Sequence, residues 1–245
     1  MVMRLILLLL INCVLLFSAA SHAVVEVTIN KTMYTFTGNP RIVDVLQPIA
    51  LKEQWYWPES KLFRSNTEKS QDLRSQIVKM LAKEGDTKQE YESLYQNIVS
   101  QIESWEVGDR IKIKIDFELA RISAKHNPRM ENGQYKIFLA KRPTTLYVFG
   151  AVKNAFELPY RNNTCVEDII SSMEFTAVAA KSYVYLISPQ GKVDKSPIAY
   201  WNSQCTLPMP GSMIYVPLQE SFLSHAQTII NTKITELAVN RITMQ

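Results

Sequence analysis

The chain predicts an α+β fold in which strand, strand, helix and further strands follow one another twice, each time the order of a β-grasp, a small sheet curled over one helix. Two observations carry this. The second half strings together RPTTLYVFGAV (142–152), YVYLISPQGKV (183–193), SPIAYWN (196–202) and PGSMIYVP (210–217), short alternating or apolar runs bounded by Pro, Gly or Asn, with a helical segment between the first two. The first half opens in the same way, although no residue-level repeat connects the two.

Residues 1–23 read as a secretory signal peptide. Arg4 supplies the positive start, residues 5–17 an apolar stretch broken only by Asn12 and Cys13, and Ser21-His22-Ala23 a small-x-small cleavage site. The uninterrupted apolar core is shorter than the roughly 20 residues a spanning helix needs. Asn12 before Cys13 argues against a lipoprotein signal. The mature chain is therefore expected in the periplasm, with 26 basic residues facing 23 acidic ones, a net of +3. That balance is too mild for a nucleic-acid partner, which requires a concentrated basic stripe. Cys165 and Cys205 remain after processing, and an even number in an oxidising compartment suggests a disulfide.

Residues 24–38 alternate Val25, Val27, Ile29 and then Tyr34, Phe36 around Asn30-Lys31, a hairpin pattern. Ile42, Val45, Leu46 and Ile49 then recur at helical spacing, limited by Pro48. Residues 66–106 form a helical hairpin inserted in this first domain (24–141), with Leu73, Ile77, Met80 and Leu81 on one stripe and Tyr91, Leu94, Ile98, Ile102 and Trp105 on another. Gly85 suits the C-terminal cap of the first helix, and Thr87 with Glu90 a capping box opening the second. From Ile111 to Leu119 the period switches to two, as in one long half-buried strand, and residues 134–139 supply another.

Arg142-Pro143 marks the passage to the second domain (142–218), whose helix spans 164–173 and whose strands include 145–152, 183–187 and 213–216. Residues 219–245 carry Leu223, Ala226, Ile230, Ile234, Leu237 and Ile242 as an apolar stripe, an amphipathic helix of roughly 40 Å. It has three destinations: its own sheets, a partner helix, or a membrane surface, with outer-membrane association among them. Its polar face lacks the Lys/Arg density of an interfacial helix, which favours docking on its own chain.

Catalytic residues are not evident. The mature chain has His126 and His225 in no metal-ligand spacing, and there is no GxSxG, P-loop, GxGxxG or CxxC motif, so neither a metal nor another cofactor is indicated. For ligand binding, Trp55 and Trp57 in the cluster Trp55-Tyr56-Trp57 offer rings that stack on sugars, the competing reading being that they pack in the core. Arg110, after Gly108-Asp109, has the planar donor fork to hold an anionic or hydroxylated ligand, the competing reading being a salt bridge to Asp109.

The runs quoted above, together with QWYWPESKLF (54–63), GDRIKIKI (108–115) and the Leu158-Pro159-Tyr160 return, resemble the GfcC family of periplasmic capsule-assembly proteins. The resemblance spans nearly the whole mature chain. It implies two β-grasp domains similar to the ligand-binding modules of Wza-type polysaccharide export channels, an inserted helical hairpin, a terminal amphipathic helix, and no enzymatic activity. Carried over by motif, Arg110 of Gly108-Asp109-Arg110 would line a pocket in the cleft between domains, while Trp57-Pro58 and Arg142-Pro143 match the family's Trp-Pro and Arg-Pro. The two cysteines are not part of the pattern. The expected function is a non-enzymatic accessory role in capsule or exopolysaccharide assembly and secretion, with polysaccharide or the export machinery as partner. The alternatives are a periplasmic glycan-acting enzyme and a pore-forming outer-membrane polysaccharide export subunit.

Overall fold

Two five-stranded mixed sheets, built to the same plan, make up the framework of the computed structural model, which describes residues 24–221 and 225–242. The signal peptide assigned to residues 1–23 lies outside the described residues. The first sheet contains β1 (Val24–Ile29), β2 (Thr32–Thr37), β3 (Lys61–Arg64), β4 (Asp109–Ile111) and β5 (Gly133–Phe138), in the order β2-β1-β5-β3-β4. β1 and β5 run parallel and the other neighbours antiparallel. At the hairpin turn Asn30 takes the left-handed conformation (φ 52°), which asparagine tolerates better than most residues. Its side chain accepts from Leu139 N (2.8 Å) and donates to Leu139 O (3.2 Å), tying the turn to the end of β5.

Helix α1 (Ile42–Ala50) buries Ile42, Val45, Leu46 and Ala50, a helical stripe laid on Val25, Val27, Ile29, Leu62 and Ile137 of the sheet. Asp44 accepts from the backbone of Arg41 at its start (2.8 Å). α2 (Glu68–Thr87) and α3 (Glu92–Glu103) form the helical hairpin between β3 and β4. The single long strand expected from Ile111 to Leu119 does not form. Only Asp109 to Ile111 pair with β3. Ile113 N then turns back to Ile111 O, and Asp116 accepts from Leu119 N (3.1 Å) to cap the short helix α4 (Phe117–Ile122). Alternation misled because Ile115 and Phe117 are core residues under either geometry, and only the helix buries Ala120 as well.

The second sheet is assembled from β6 (Thr145–Gly150), β7 (Phe156–Pro159), β8 (Tyr183–Ile187), β9 (Val193–Pro197) and β10 (Met213–Val216), ordered β7-β6-β10-β8-β9 with β6 parallel to β10. Its helix α5 (Val166–Ile170) is shorter than the expected 164–173, with Cys165 at its N-terminal boundary. This sheet is buried on both faces, which is why β10 reads Met-Ile-Tyr-Val without a polar position. Register places Tyr147, Phe149, Met213, Tyr215 and Tyr185 on one face and Leu146, Val148, Ile214 and Leu186 on the other.

The hairpin belongs by sequence to the first sheet but spends its apolar stripes on the second. Ile77, Leu81, Tyr95, Ile98, Ile102 and Trp105 join the core of the second sheet, with Trp105 edge-on to Phe149 (5.0 Å) and Gln101 bonded to both backbone groups of Gly150. Gly85 lies inside α2, not at its cap, and faces Glu92 and Tyr95 where the helices cross. Thr87 makes no capping box; its hydroxyl donates to Lys83 O.

The terminal helix α6 is Ala226–Val239, 14 residues and so roughly 21 Å, about half the expected length. Residues 222–224, with Leu223 of the expected stripe, and residues 243–245 lie outside the described residues. Ile230, Ile234, Leu237 and Ala238 pack into the same core as the hairpin and the second sheet. Asn231 sits fully buried, accepting from Tyr215 OH (2.8 Å) and Leu218 N (2.9 Å) while donating to Leu218 O (2.9 Å). Beyond α6, Ile242 N bonds Glu106 O and Gly108 N bonds Asn240 O, so the chain end runs beside the start of β4.

Candidate functional site

Arg110 occupies the edge strand β4, where the first sheet meets α6 and the β8–β9 turn. Its Nη2 donates to Pro189 O (2.9 Å), its Nη1 to Val239 O (3.3 Å), and its backbone N to Asn240 Oδ1 (3.3 Å). Burial lowers its pKa from the usual 12.5 to about 10, with the Glu59 carboxylate acting in the opposite direction. The expected alternative partner, Asp109, faces the other way and accepts from Ser70 N (2.8 Å) and Ser70 Oγ (2.7 Å), anchoring the start of α2. Alternation along β4 thus sends adjacent charges to different tasks.

Two hollows flank Arg110. One, of about 270 Å³, is lined by Trp57, Arg110, Lys112, Lys114, Gln190 and Lys192. The other, of about 410 Å³, is lined on its polar side by Ser70, Asp109, Arg110, Thr235, Glu236 and Asn240. Of the three residues the sequence marks for ligand binding, the fold brings Trp57 and Arg110 to one hollow and sends Trp55 elsewhere. Trp55 donates from Nε1 to Ile49 O (3.1 Å) and lines a hollow of about 600 Å³ with Phe63, Phe138 and Lys141. Both tryptophans are half-buried against the core of the first sheet, as the packing alternative holds.

Sequence reasoning missed the charged seam behind this site. Glu59 and Lys61 pair at 3.0 Å with side chains only 6% exposed each. Burial lowers the pKa of Lys61, Glu59 opposes that, and Arg110 and Arg241 add to the lowering. Arg241 lies 3.9 Å from the ring centre of Tyr147 and 5.4 Å from that of Trp105, and burial lowers its pKa as well. No local pattern distinguishes Glu59-Ser60-Lys61 from a surface turn. Only the fold desolvates it, by bringing Gly211 of the second half against the Glu59 carboxylate.

Cys165 and Cys205 are joined by a disulfide with Cα atoms 5.0 Å apart, closing the loop after β9 onto the start of α5. Glu167 is close to both sulfurs, and these three form the single cluster of metal-type ligands among the described residues. Sulfurs bonded to one another offer no thiolate, so the trio is not a metal centre. Among the described residues no helix is long and apolar enough to cross a membrane.

The fold and site define a two-sheet α+β protein whose halves are locked through a buried cationic seam, with open hollows on either side of one arginine. Residues 20–142 match the family model described as "Capsule biosynthesis GfcC, N-terminal", and residues 154–243 match "Capsule biosynthesis GfcC C-terminal". The chain belongs to the GfcC capsule-biosynthesis family. It is similar to the "Uncharacterized protein YjbG" of Escherichia coli (strain K12), 28% identical over 211 residues that cover 85% of each chain.

Proposed function

We propose that this protein is a non-enzymatic periplasmic accessory component of capsule or exopolysaccharide assembly and secretion, binding glycan at the hollow shared by Trp57 and Arg110. The observation that carries the reading is that hollow itself, an aromatic ring and cationic side chains converging where the edge of the first sheet meets the β8–β9 turn, a usual place for a ligand site. The domain reading fits it: β-grasp units at 24–141, with the hairpin insertion, and at 142–218. The element order strand-strand-helix-strand-strand-strand and the parallel pairing of first and last strand in each sheet support that reading. Family membership supports the pathway.

The test is complementation. A strain lacking the gene should regain surface polysaccharide with the wild-type chain and not with Trp57→Ala, while the protein fractionates with the periplasm and begins near Val24. Purified protein incubated with the host polysaccharide should bind it and leave its chain length unchanged by mass analysis. Shortened or modified glycan would replace the accessory reading with the enzymatic one.

A further inference from the structure

The hollow at Trp57 carries charge of one sign. Arg110, Lys112, Lys114 and Lys192 all line it, and among the described residues that line it there is no aspartate or glutamate. Two carboxylates stand nearby. Glu59 is close enough to favour the charged form of Arg110 but is paired with Lys61, and Asp194 holds Lys192 at 2.8 Å. Lys112 and Lys114 are exposed, and their side chains form no ion pair or hydrogen bond among the described residues. Arg110 has its guanidinium committed to Pro189 O and Val239 O. It therefore shapes the base of the hollow, and the two lysines present their charge on its solvent side.

An unpaired pair of ammonium groups beside a half-buried indole is the chemistry of an acidic sugar. The ring face of a pyranose packs on the indole, and its carboxylate is held by ammonium donors. A neutral hexose can accept hydrogen bonds from the two cations through its hydroxyl oxygens but offers no charge to pair with them, and so gains less than a carboxylate does. Building on the glycan reading above, we infer that this site selects a carboxylate-bearing sugar unit, such as a hexuronate within the polymer, with Lys112 and Lys114 as the selecting residues and Trp57 as the stacking platform.

The experiment is titration calorimetry of the full mature protein with three probes of equal length: an oligoglucuronate, a neutral isomalto-oligosaccharide, and poly-glutamate. The expected result is binding of the oligoglucuronate alone, weakened about tenfold in the double variant K112Q/K114Q and weakened further as salt rises. Both lysines are exposed, so circular dichroism of that variant should match the wild type. W57A should weaken binding at least tenfold while leaving the salt dependence of the remaining interaction in place, because Lys112 and Lys114 are untouched. Equal binding of the neutral oligosaccharide would overturn the acid selectivity and leave the glycan reading standing. Equal binding of poly-glutamate would show a surface for acidic protein and overturn the sugar assignment. No binding of either oligosaccharide, with complementation also failing to depend on Trp57, would remove both readings together.

Discussion

A Cβ on Gly191 would lie 3.1 Å from Nη1 of Arg110 and 3.0 Å from Val239 Cγ1, at a backbone φ of +87°. The β8–β9 turn therefore approaches the first sheet as closely as a residue without a side chain allows, and that approach brings Pro189 O within reach of the guanidinium. Gly191→Ala should destabilise the protein by about 1–3 kcal/mol through the left-handed conformation alone, with the crowding of Arg110 adding to it. Chemical denaturation of the variant checks this.

Arg110→Ala is the companion experiment. The structure places its guanidinium across two elements as the donor to two backbone carbonyls. Truncation should cost about 2–4 kcal/mol, because those acceptors lose charge-assisted bonds in a desolvated place. Thermal unfolding measures the loss. Arg110→Lys should recover part of it, because one ammonium cannot reproduce the two-pronged reach.

The disulfide should matter to stability as much as the seam does. Cys165 and Cys205 are 40 residues apart in sequence, and on the chain-entropy account a loop of that size is worth about 4 kcal/mol. The double Ser variant should unfold at correspondingly lower denaturant concentration, and the mature protein, without Cys13, should react with no thiol reagent when denatured without reductant.

Asn231 is the polar contact that seats α6. Its side chain satisfies Tyr215 OH and both backbone groups of Leu218 in a fully buried position. Asn231→Ala leaves three buried polar groups unpaired and should cost about 2–4 kcal/mol, whereas Tyr215→Phe removes one bond and should cost about 1 kcal/mol. Denaturant midpoints of the two variants decide between them.

Alkaline pH should weaken the fold through its tyrosines. Burial raises the pKa of Tyr215 well above the ordinary 10.0, and burial with the neighbouring Glu220 raises those of Tyr183 and Tyr185. The folded chain then keeps protons that the unfolded chain releases above about pH 10. This stabilisation is complete below pH 10 and is lost as pH rises beyond it. Unfolding free energies at pH 9, 10 and 11 should fall in that order, and Tyr183→Phe should flatten the slope. Lys61, Arg110 and Arg241, whose pKa values burial lowers, work in the opposite sense, so the comparison with Tyr183→Phe isolates the tyrosine contribution.

Much of the framework was legible locally. The alternation of Val25, Val27 and Ile29 about Asn30, and the i, i+3, i+4 spacing of Ile42, Val45 and Leu46, each have one geometry that buries every apolar side chain, and β1, β2 and α1 follow it. The stretch from Ile111 to Phe117 has two such geometries, and the capping oxygen of Asp116 chose the one the pattern did not suggest. For the candidate site, Trp57 and Arg110 were readable as residue types, while their meeting in one hollow, and the separation of Trp55 from it, were not.

By itself the sequence determined most of the strands and helices and the parity of its cysteines, because those rest on spacing along the chain, and its motifs carried the resemblance to its family. Tertiary structure alone decided that the α2–α3 hairpin serves the second sheet, that Glu59 and Lys61 are a buried pair, and that Arg110 is a strut at the base of a basic hollow. Each of these depends on which surface loses its water to which other. That choice is made between segments far apart in sequence, where side-chain periodicity carries no information.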